Sequence, residues 1–366
     1  MAPAFSSSRQ AAAFGLMLVV LLSMPVLLAK VQSRDRRDVY PTIAWKYGAY
    51  PWFQQQIFAE TGDVDMAFLG ASHMLNNVDA PYVKSELSQH IGRDATVFTL
   101  GWPWPGYDAM YFIARDLLEH RRVRILVIDD VNRSPDRPHP IASRWYRYGE
   151  NTADLEGLPF ASRMRLYSSA VLGTPRHILS LFRTNLLEDP AHCKENYWNK
   201  YYHSPNIAQN LGTHRAQISY GMSSNFSHRS GQGSASPSDV ILYSAETDKS
   251  FKFTGPKTRG YQLHFLRRLT RLCQDHGTHL VMLHEPSLSD RSEESIFERE
   301  CWPETLGAPI DIVGISTPRL LAGIPEDDVK KYFYDNAHFN ENGQKLFTPL
   351  ISPSLLEIYD TSINRH

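Results

Sequence analysis

The sequence predicts an α/β fold in which helices cover both faces of a parallel β-sheet. Short apolar runs at Val64–Leu69, Ala95–Leu100 and Val123–Ile128 have the length of buried strands. Two segments with helical periodicity, Ala80–Ile91 and Tyr107–Glu119, separate these runs. Strands that alternate with helices in this way pair in parallel, because each helix returns the chain to the start of the next strand.

Local signals at the ends of these segments support the assignment. Gly62 and Gly70 flank the first strand, Asp79 is the expected N-cap of the first helix, and Pro81 fits its first turn. In Tyr107–Glu119 the apolar residues recur on one helix face. They are Met110, Ile113, Ala114, Leu117 and Leu118.

The same alternation resumes near the C-terminus. Gly260–His276 has the pattern of an amphipathic helix that ends at Gly277, and Thr278–His284 has the pattern of the next strand. Ile310–Val313 is a candidate fifth strand, and Asn342–Ile351 is the predicted final helix.

We interpret the chain between the two alternating regions as a large insertion over the sheet. Within it the sequence predicts a helix over residues 174–187 and a Ser/Gly-rich loop over 221–238. The predicted organisation is an N-terminal helix at 1–30, a lead-in at 31–62, the α/β domain at 63–352 with its insertion at 133–258, and a tail at 353–366.

The first thirty residues predict a transmembrane helix that acts as a signal anchor. Ala11–Ala29 contains nineteen residues without a charge, a length that spans the hydrocarbon core of a bilayer. A cleaved signal peptide is the alternative, but cleavage after Ala29 would place Leu27 where a small residue is preferred. Basic residues are denser after the segment than before it, so the positive-inside rule would place the body in the cytoplasm.

Composition and charge exclude several functional classes. Lysine and arginine total 38 against 39 aspartate and glutamate residues, so the chain lacks the basic surplus typical of nucleic-acid binding. The three cysteines are too few for a disulfide scaffold or a zinc cluster. His276, His279 and His284 lack a metal-ligand spacing, and the sequence predicts neither a metal site nor a cofactor.

Two short motifs carry the candidate chemistry. Ser72 follows the first strand, at the sheet edge where α/β folds bind ligands. Taken alone, its position favours a turn residue or a helix cap over a nucleophile. Asp335 and His338 lie in the loop before the final helix, and their spacing lets the carboxylate bind one imidazole nitrogen while the other accepts a serine proton. The same spacing occurs at two other places in the chain, so only its position distinguishes this copy.

Together these motifs resemble the SGNH (GDSL-like) hydrolase superfamily, over residues 63–132 and 260–352. The segment DNAHFNENGQKLF is similar to the family's last block. The resemblance implies a flavodoxin-like three-layer sandwich and a catalytic triad of Ser72 as nucleophile, His338 as base and Asp335 as its orienting residue. The family's Gly-Asp-Ser is Gly-Ala-Ser here, and the glycine before the family's asparagine is missing.

The resemblance also implies which groups surround the nucleophile. The Ser72 N–H, the Gly106 N–H and the Asn132 side chain would form the oxyanion hole, with Gly101 as the alternative to Gly106. The candidate substrate contacts are His73, Trp102 and Trp104. A surface histidine and aromatic residues packed in the core are the ordinary alternatives for these three positions.

Gly-x-Ser-His variants look like membrane-anchored envelope members of the family, which serve polysaccharide O-acetylation or D-alanyl transfer. The resemblance therefore predicts serine-dependent acyl transfer, by an O-acyltransferase or an esterase, on a cell-envelope polysaccharide. The expected partners are an acylated glycan or acyl donor, a membrane-bound O-acyltransferase and the membrane. In such family members the body lies outside the membrane, whereas the positive-inside rule would place it in the cytoplasm. The alternatives are a degenerate domain that binds glycan or a membrane acyltransferase, and a non-enzymatic assembly protein.

Overall fold

A computed structural model describes most of the two predicted alternating regions. The described residues are 7–31, 36–42, 50–102, 104–130, 137–142, 144–145, 152–168, 234–243, 260–288, 306, 310–333 and 335–363. The predictions made for Asn132, for the helix at 174–187 and for residues 221–233 of the Ser/Gly-rich loop lie outside them.

A six-stranded sheet forms the centre of the fold, with the strand order β2-β1-β3-β5-β6-β4. The strands are β1 (Val64–Gly70), β2 (Val97–Gly101), β3 (Val123–Asp129), β4 (Ile241–Tyr243), β5 (His279–His284) and β6 (Asp311–Gly314). All neighbours pair in parallel except β4, which forms one edge of the sheet and pairs with β6 antiparallel. The prediction of an α/β fold with a parallel sheet is confirmed, and the order of the five parallel strands is consistent with a flavodoxin-like sandwich.

The described helices connect and cover these strands. They are α1 (Ser8–Val31), α2 (Tyr50–Gln54), α3 (Ser72–Asn77), α4 (Ala80–Ile91), α5 (Tyr107–His120), α6 (160–168), α7 (Gly260–Asp275), α8 (Thr317–Leu320), α9 (Glu326–Val329) and α10 (Glu341–Ile363). At the predicted N-cap of α4, the Asp79 carboxylate accepts the Tyr82 N–H at 3.2 Å. Gly277 follows α7 with φ +65°, the left-handed conformation that favours glycine at a helix C-terminus.

The strand side chains alternate between two apolar cores, one on each face of the sheet. In β1, Ala67 and Leu69 join the core that includes residues of α5 and α7, whereas Met66 and Phe68 join the core that includes residues of α4 and α10. Both faces of the central strands are therefore covered, which explains why their sequences are continuous apolar runs. The result is helices, sheet and helices in three layers.

The final helix is longer than the sequence predicted. We expected it to end at Ile351, before Pro353, and expected a tail from residue 353; instead α10 continues through both internal prolines to Ile363. Leu355, Ile358 and Tyr359 on this extension are buried in the core. The apolar surface that they bury outweighs the backbone hydrogen bond that each internal proline removes.

The described part of the insertion packs against the α5–α7 face of the sheet. The buried Asp108 carboxylate accepts the His139 N–H at 2.8 Å and the Tyr261 hydroxyl at 2.9 Å. Asp154 forms ion pairs with Arg115 of α5 and Arg268 of α7. At its other end the insertion supplies β4, a three-residue strand that the sequence analysis did not predict.

The apolar N-terminal segment folds as the helix α1. Among the described residues, however, no helix is both long enough and apolar enough to cross a membrane. The predicted N-terminal transmembrane helix is therefore not found.

Candidate active site

The candidate nucleophile lies at the turn from β1 into α3. β1 ends at Gly70, Ala71 is extended with φ −80° and ψ −165°, and Ser72 is the first residue of α3. This turn sits at the carboxyl edge of the sheet beside β3, where the strand order reverses and α/β folds bind ligands. No acceptor for the Ser72 N–H lies among the described residues, so this donor can bind a ligand oxygen.

His338 connects the nucleophile to an acidic residue. Its Nε2 lies 2.8 Å from the Ser72 Oγ, and its Nδ1 lies 2.8 Å from the Asp335 Oδ2. Both are hydrogen-bond distances, and each ring nitrogen has the partner that a serine triad requires. The structure thus brings together the three residues predicted as nucleophile, base and orienting residue.

The Asp335 carboxylate is held in its ionised form. Its Oδ1 also accepts the backbone N–H groups of Ala337 and His338, both at 2.8 Å. Burial by itself would raise the pKa of Asp335, but the hydrogen bonds and the charge interaction with His338 hold it at about 2. A carboxylate that stays charged can fix the imidazole orientation and stabilise its protonated form.

The loop that carries His338 is fixed to the helix that carries Ser72. The Phe339 N–H donates to the Asn77 Oδ1 at 2.8 Å, and the Gln344 side-chain amide donates to the Asn76 carbonyl at 2.6 Å. Gly343 permits this packing, because a Cβ there would overlap the Tyr332 carbonyl oxygen. These contacts position groups that are distant in sequence without help from a ligand.

The triad is accessible from solvent. The side chains of His338 and Asp335 are 24% and 25% exposed. A molecule in solution can therefore reach both side chains.

His73, a predicted substrate contact, lies beside the base. The centroids of its ring and the His338 ring are 4.9 Å apart at an interplanar angle of 38°. Burial, together with the nearby His338, lowers the pKa of His73 to about 3, so the ring is neutral at physiological pH. Its contact in the structure is with the base, and the substrate contact stays a prediction.

The two glycine candidates for the oxyanion hole have different surroundings. Gly101 ends β2 and lies against Leu75 of α3, because a Cβ on this glycine would be 2.8 Å from the Leu75 Cδ1. Gly106 begins α5, and the nearest side chains to it are Asp108 and His139. Gly101 is therefore the candidate that directly contacts the nucleophile helix. The assignment to Gly106 stays a prediction.

The two candidate tryptophans differ completely in exposure. Trp102 is fully buried and packs near Phe53 and His139, so it presents no surface to a substrate and the predicted contact is wrong. Trp104 is 55% exposed, and its φ of +63° is a conformation that costs a non-glycine residue about 1–3 kcal/mol. Trp104 thus remains a candidate substrate contact in the loop after β2.

A buried acidic cluster beneath the nucleophile turn was missed by the sequence analysis. Asp129 ends β3, and its carboxylate accepts the Ala71 N–H. Asp130 contacts the His284 Nδ1 at 3.0 Å, and Glu285 follows β5. The sequence did contain a signal for this cluster, because these acids stand at or directly after the ends of strands, at the ligand-binding edge of the sheet.

Two acids in this cluster, Asp129 and Glu285, resist ionisation. Burial raises the pKa of Asp129 to about 7 and the nearby Asp130 adds to the shift, although the Ala71 N–H opposes it. Burial and the same two aspartates raise the pKa of Glu285 well above its ordinary value. The native protein therefore retains protons here that an unfolded chain would release near pH 4.

We expect Asp129→Asn to make the free energy of unfolding less dependent on pH. Because the native pKa is raised, wild-type stability should fall as pH rises from about 4 to about 7, by up to about 1.4 kcal/mol per pH unit for one proton. Asparagine still offers an oxygen to the Ala71 N–H but cannot ionise. Urea unfolding across this range measures both slopes, and equal slopes would contradict the assignment.

Metal chemistry has no support among the residues that the structure describes. Within them, no group of three or more histidine, cysteine, aspartate or glutamate side chains has an arrangement that could hold a metal ion. The arrangement of Asp129, Asp130 and Glu285 likewise does not provide such a group.

Neither a protein-family model nor a curated protein matches the chain. The resemblance to SGNH hydrolases therefore rests on the motifs and on the geometry given above.

Proposed function

We propose that the chain catalyses serine-dependent acyl transfer on a cell-envelope polysaccharide, as an O-acyltransferase or an esterase. The observation that carries the proposal is the continuous hydrogen-bond path from the Ser72 Oγ through His338 to Asp335, with 2.8 Å at each step. In SGNH hydrolases the nucleophile follows the first strand and the Asp-x-x-His precedes the last helix, as in this fold.

The chemistry begins with attack of the Ser72 Oγ on an ester carbonyl, while the His338 Nε2 accepts the hydroxyl proton. The Ser72 N–H faces no other acceptor among the described residues and can stabilise the developing oxyanion. Collapse of the tetrahedral intermediate expels an alcohol, which takes the proton from His338 and leaves an acyl ester on Ser72. Water or a sugar hydroxyl then attacks this ester by the reverse steps.

The acceptor decides whether the enzyme is an esterase or a transferase. The partial exposure of the triad fits a polymeric substrate, and Trp104 offers an exposed indole for stacking on a sugar ring. The choice of an envelope polysaccharide, an extracytoplasmic location and a membrane-bound O-acyltransferase partner are proposals that rest on the family resemblance.

The proposal is tested by turnover of acetylated sugar esters, with and without added glycan acceptors. Ser72→Ala should lower kcat by about 10⁴-fold or more, because the variant lacks the hydroxyl that forms the acyl-enzyme. Ser85→Ala, an exposed serine on α4, is the matched control and should retain full activity. Unchanged turnover in Ser72→Ala would contradict the proposal. Glycan binding by a wild-type protein that lacks turnover would favour the degenerate binding domain.

A further inference from the structure

Exposed apolar side chains are concentrated in one region of the molecule. Among the described residues, 12 large hydrophobic side chains are exposed, and 11 of them lie on α1 or α6. These two helices touch, since the Tyr167 hydroxyl of α6 donates to the Leu22 carbonyl of α1. Exposed apolar side chains concentrated in one region mark an interaction site.

α6 has two distinct faces. Its inner face carries Leu166, which is buried in the same core as α5 and α7. Its outer face carries Phe160, Met164 and Tyr167, at the four- and three-residue spacing that aligns side chains on one side of a helix. Phe160 is 72% exposed, whereas Leu166 on the inner face of the same helix is buried. The outer stripe is therefore not part of the folding core.

The two helices themselves carry charges of only one sign. Residues 160–168 contain Arg163 and Arg165, both exposed, and no acidic residue. α1 begins with the exposed Arg9, and its sequence likewise contains no acidic residue. Apolar side chains flanked by basic ones match a bilayer that presents anionic headgroups, with tyrosine at the level of the interface. A second copy of this chain would instead bring like charges together, which opposes self-association through the same surface.

We propose that the outer stripe of α6, formed by Phe160, Met164 and Tyr167, lies on an anionic membrane surface. Contact at the surface does not require a helix that spans the bilayer. Because Leu166 fixes α6 to the α/β core, this contact would hold the whole body in one orientation to the membrane. The proposal does not depend on the activity assigned to Ser72.

The test uses the full chain with one fluorescent label and vesicles that contain anionic and spin-labelled lipids. Phe160→Cys places an environment-sensitive dye on the stripe. Glu357→Cys, exposed on α10 at the opposite face of the sheet, is the matched control. Cys193 and Cys301 are replaced by serine in both chains, and Cys273 is buried.

With vesicles, we expect a blue shift and strong quenching by spin-labelled lipid at position 160 and neither change at position 357. Neutral vesicles, or Arg163→Gln with Arg165→Gln, should weaken the quenching about tenfold. Absence of quenching at 160 would overturn the proposal. The proposal would also be overturned if the dye at position 160 had blue-shifted emission without lipid and vesicles did not change it. In that case, protein would already cover the stripe. Equal quenching at both positions would contradict the assigned orientation.

Discussion

His338→Ala should lower the rate of ester turnover by about 10⁴-fold or more. Among the described residues, His338 is the only hydrogen-bond partner of the Ser72 Oγ, with its Nε2 at 2.8 Å, and the substitution removes it. The side chain is 24% exposed, so its loss should cost little stability. Initial rates with an activated acetyl ester, measured beside thermal unfolding, separate loss of chemistry from loss of fold.

His73→Ala provides the matched comparison for this variant. This residue is also a histidine at the site, but its ring packs on His338 and makes no hydrogen bond with the Ser72 Oγ. We therefore expect a much smaller loss than for His338→Ala. Equal losses in the two variants would contradict the assignment of the base.

Gly70→Ala should have the largest effect on stability, at about 3 kcal/mol or more. A Cβ at Gly70 would overlap the Asp129 carboxylate, which is buried and cannot move into solvent. The substitution combines overpacking with loss of the hydrogen bond from the Ala71 N–H, and each of these costs about 1–3 kcal/mol. Urea denaturation gives the free energy of unfolding directly.

A double-mutant cycle isolates the cause of this loss. In an Asp129→Ala background the carboxylate is absent, so adding Gly70→Ala should cost far less than it does in the wild type. Gly62→Ala is the control, because a Cβ there meets no atom within 4 Å. Additive effects of Gly70→Ala and Asp129→Ala would show that the two positions do not interact.

The sequence predicted those parts of the fold in which local pattern and tertiary packing agree. The apolar run at Val64–Leu69 became β1, and the periodic segment at 260–276 became α7. Prediction from the sequence failed where tertiary packing overrides the local pattern. The last helix was predicted to end at Ile351, yet the burial of Leu355 and Ile358 extends it to Ile363. β4 has only three residues, too few for a detectable pattern.

In the candidate site, too, local spacing predicted some contacts, whereas others depend on tertiary packing. The Asp335–His338 spacing predicted their hydrogen bond, but the contact with Ser72 joins residues 266 positions apart and depends on Asn76 and Asn77. The Asp129 cluster was missed because burial, and not residue type, makes those acids unusual. Trp102 was misassigned for a related reason, since neither its residue type nor its position reveals full burial.

Reaction of the full chain with a fluorophosphonate probe tests the central claim most directly. An activated serine attacks phosphorus and expels fluoride, and mass spectrometry of the digested protein locates the adduct. The account predicts one adduct at Ser72, formed in the wild type and absent in Ser72→Ala and His338→Ala. A folded wild-type protein with no adduct at Ser72, or with the same labelling after His338→Ala, would contradict it.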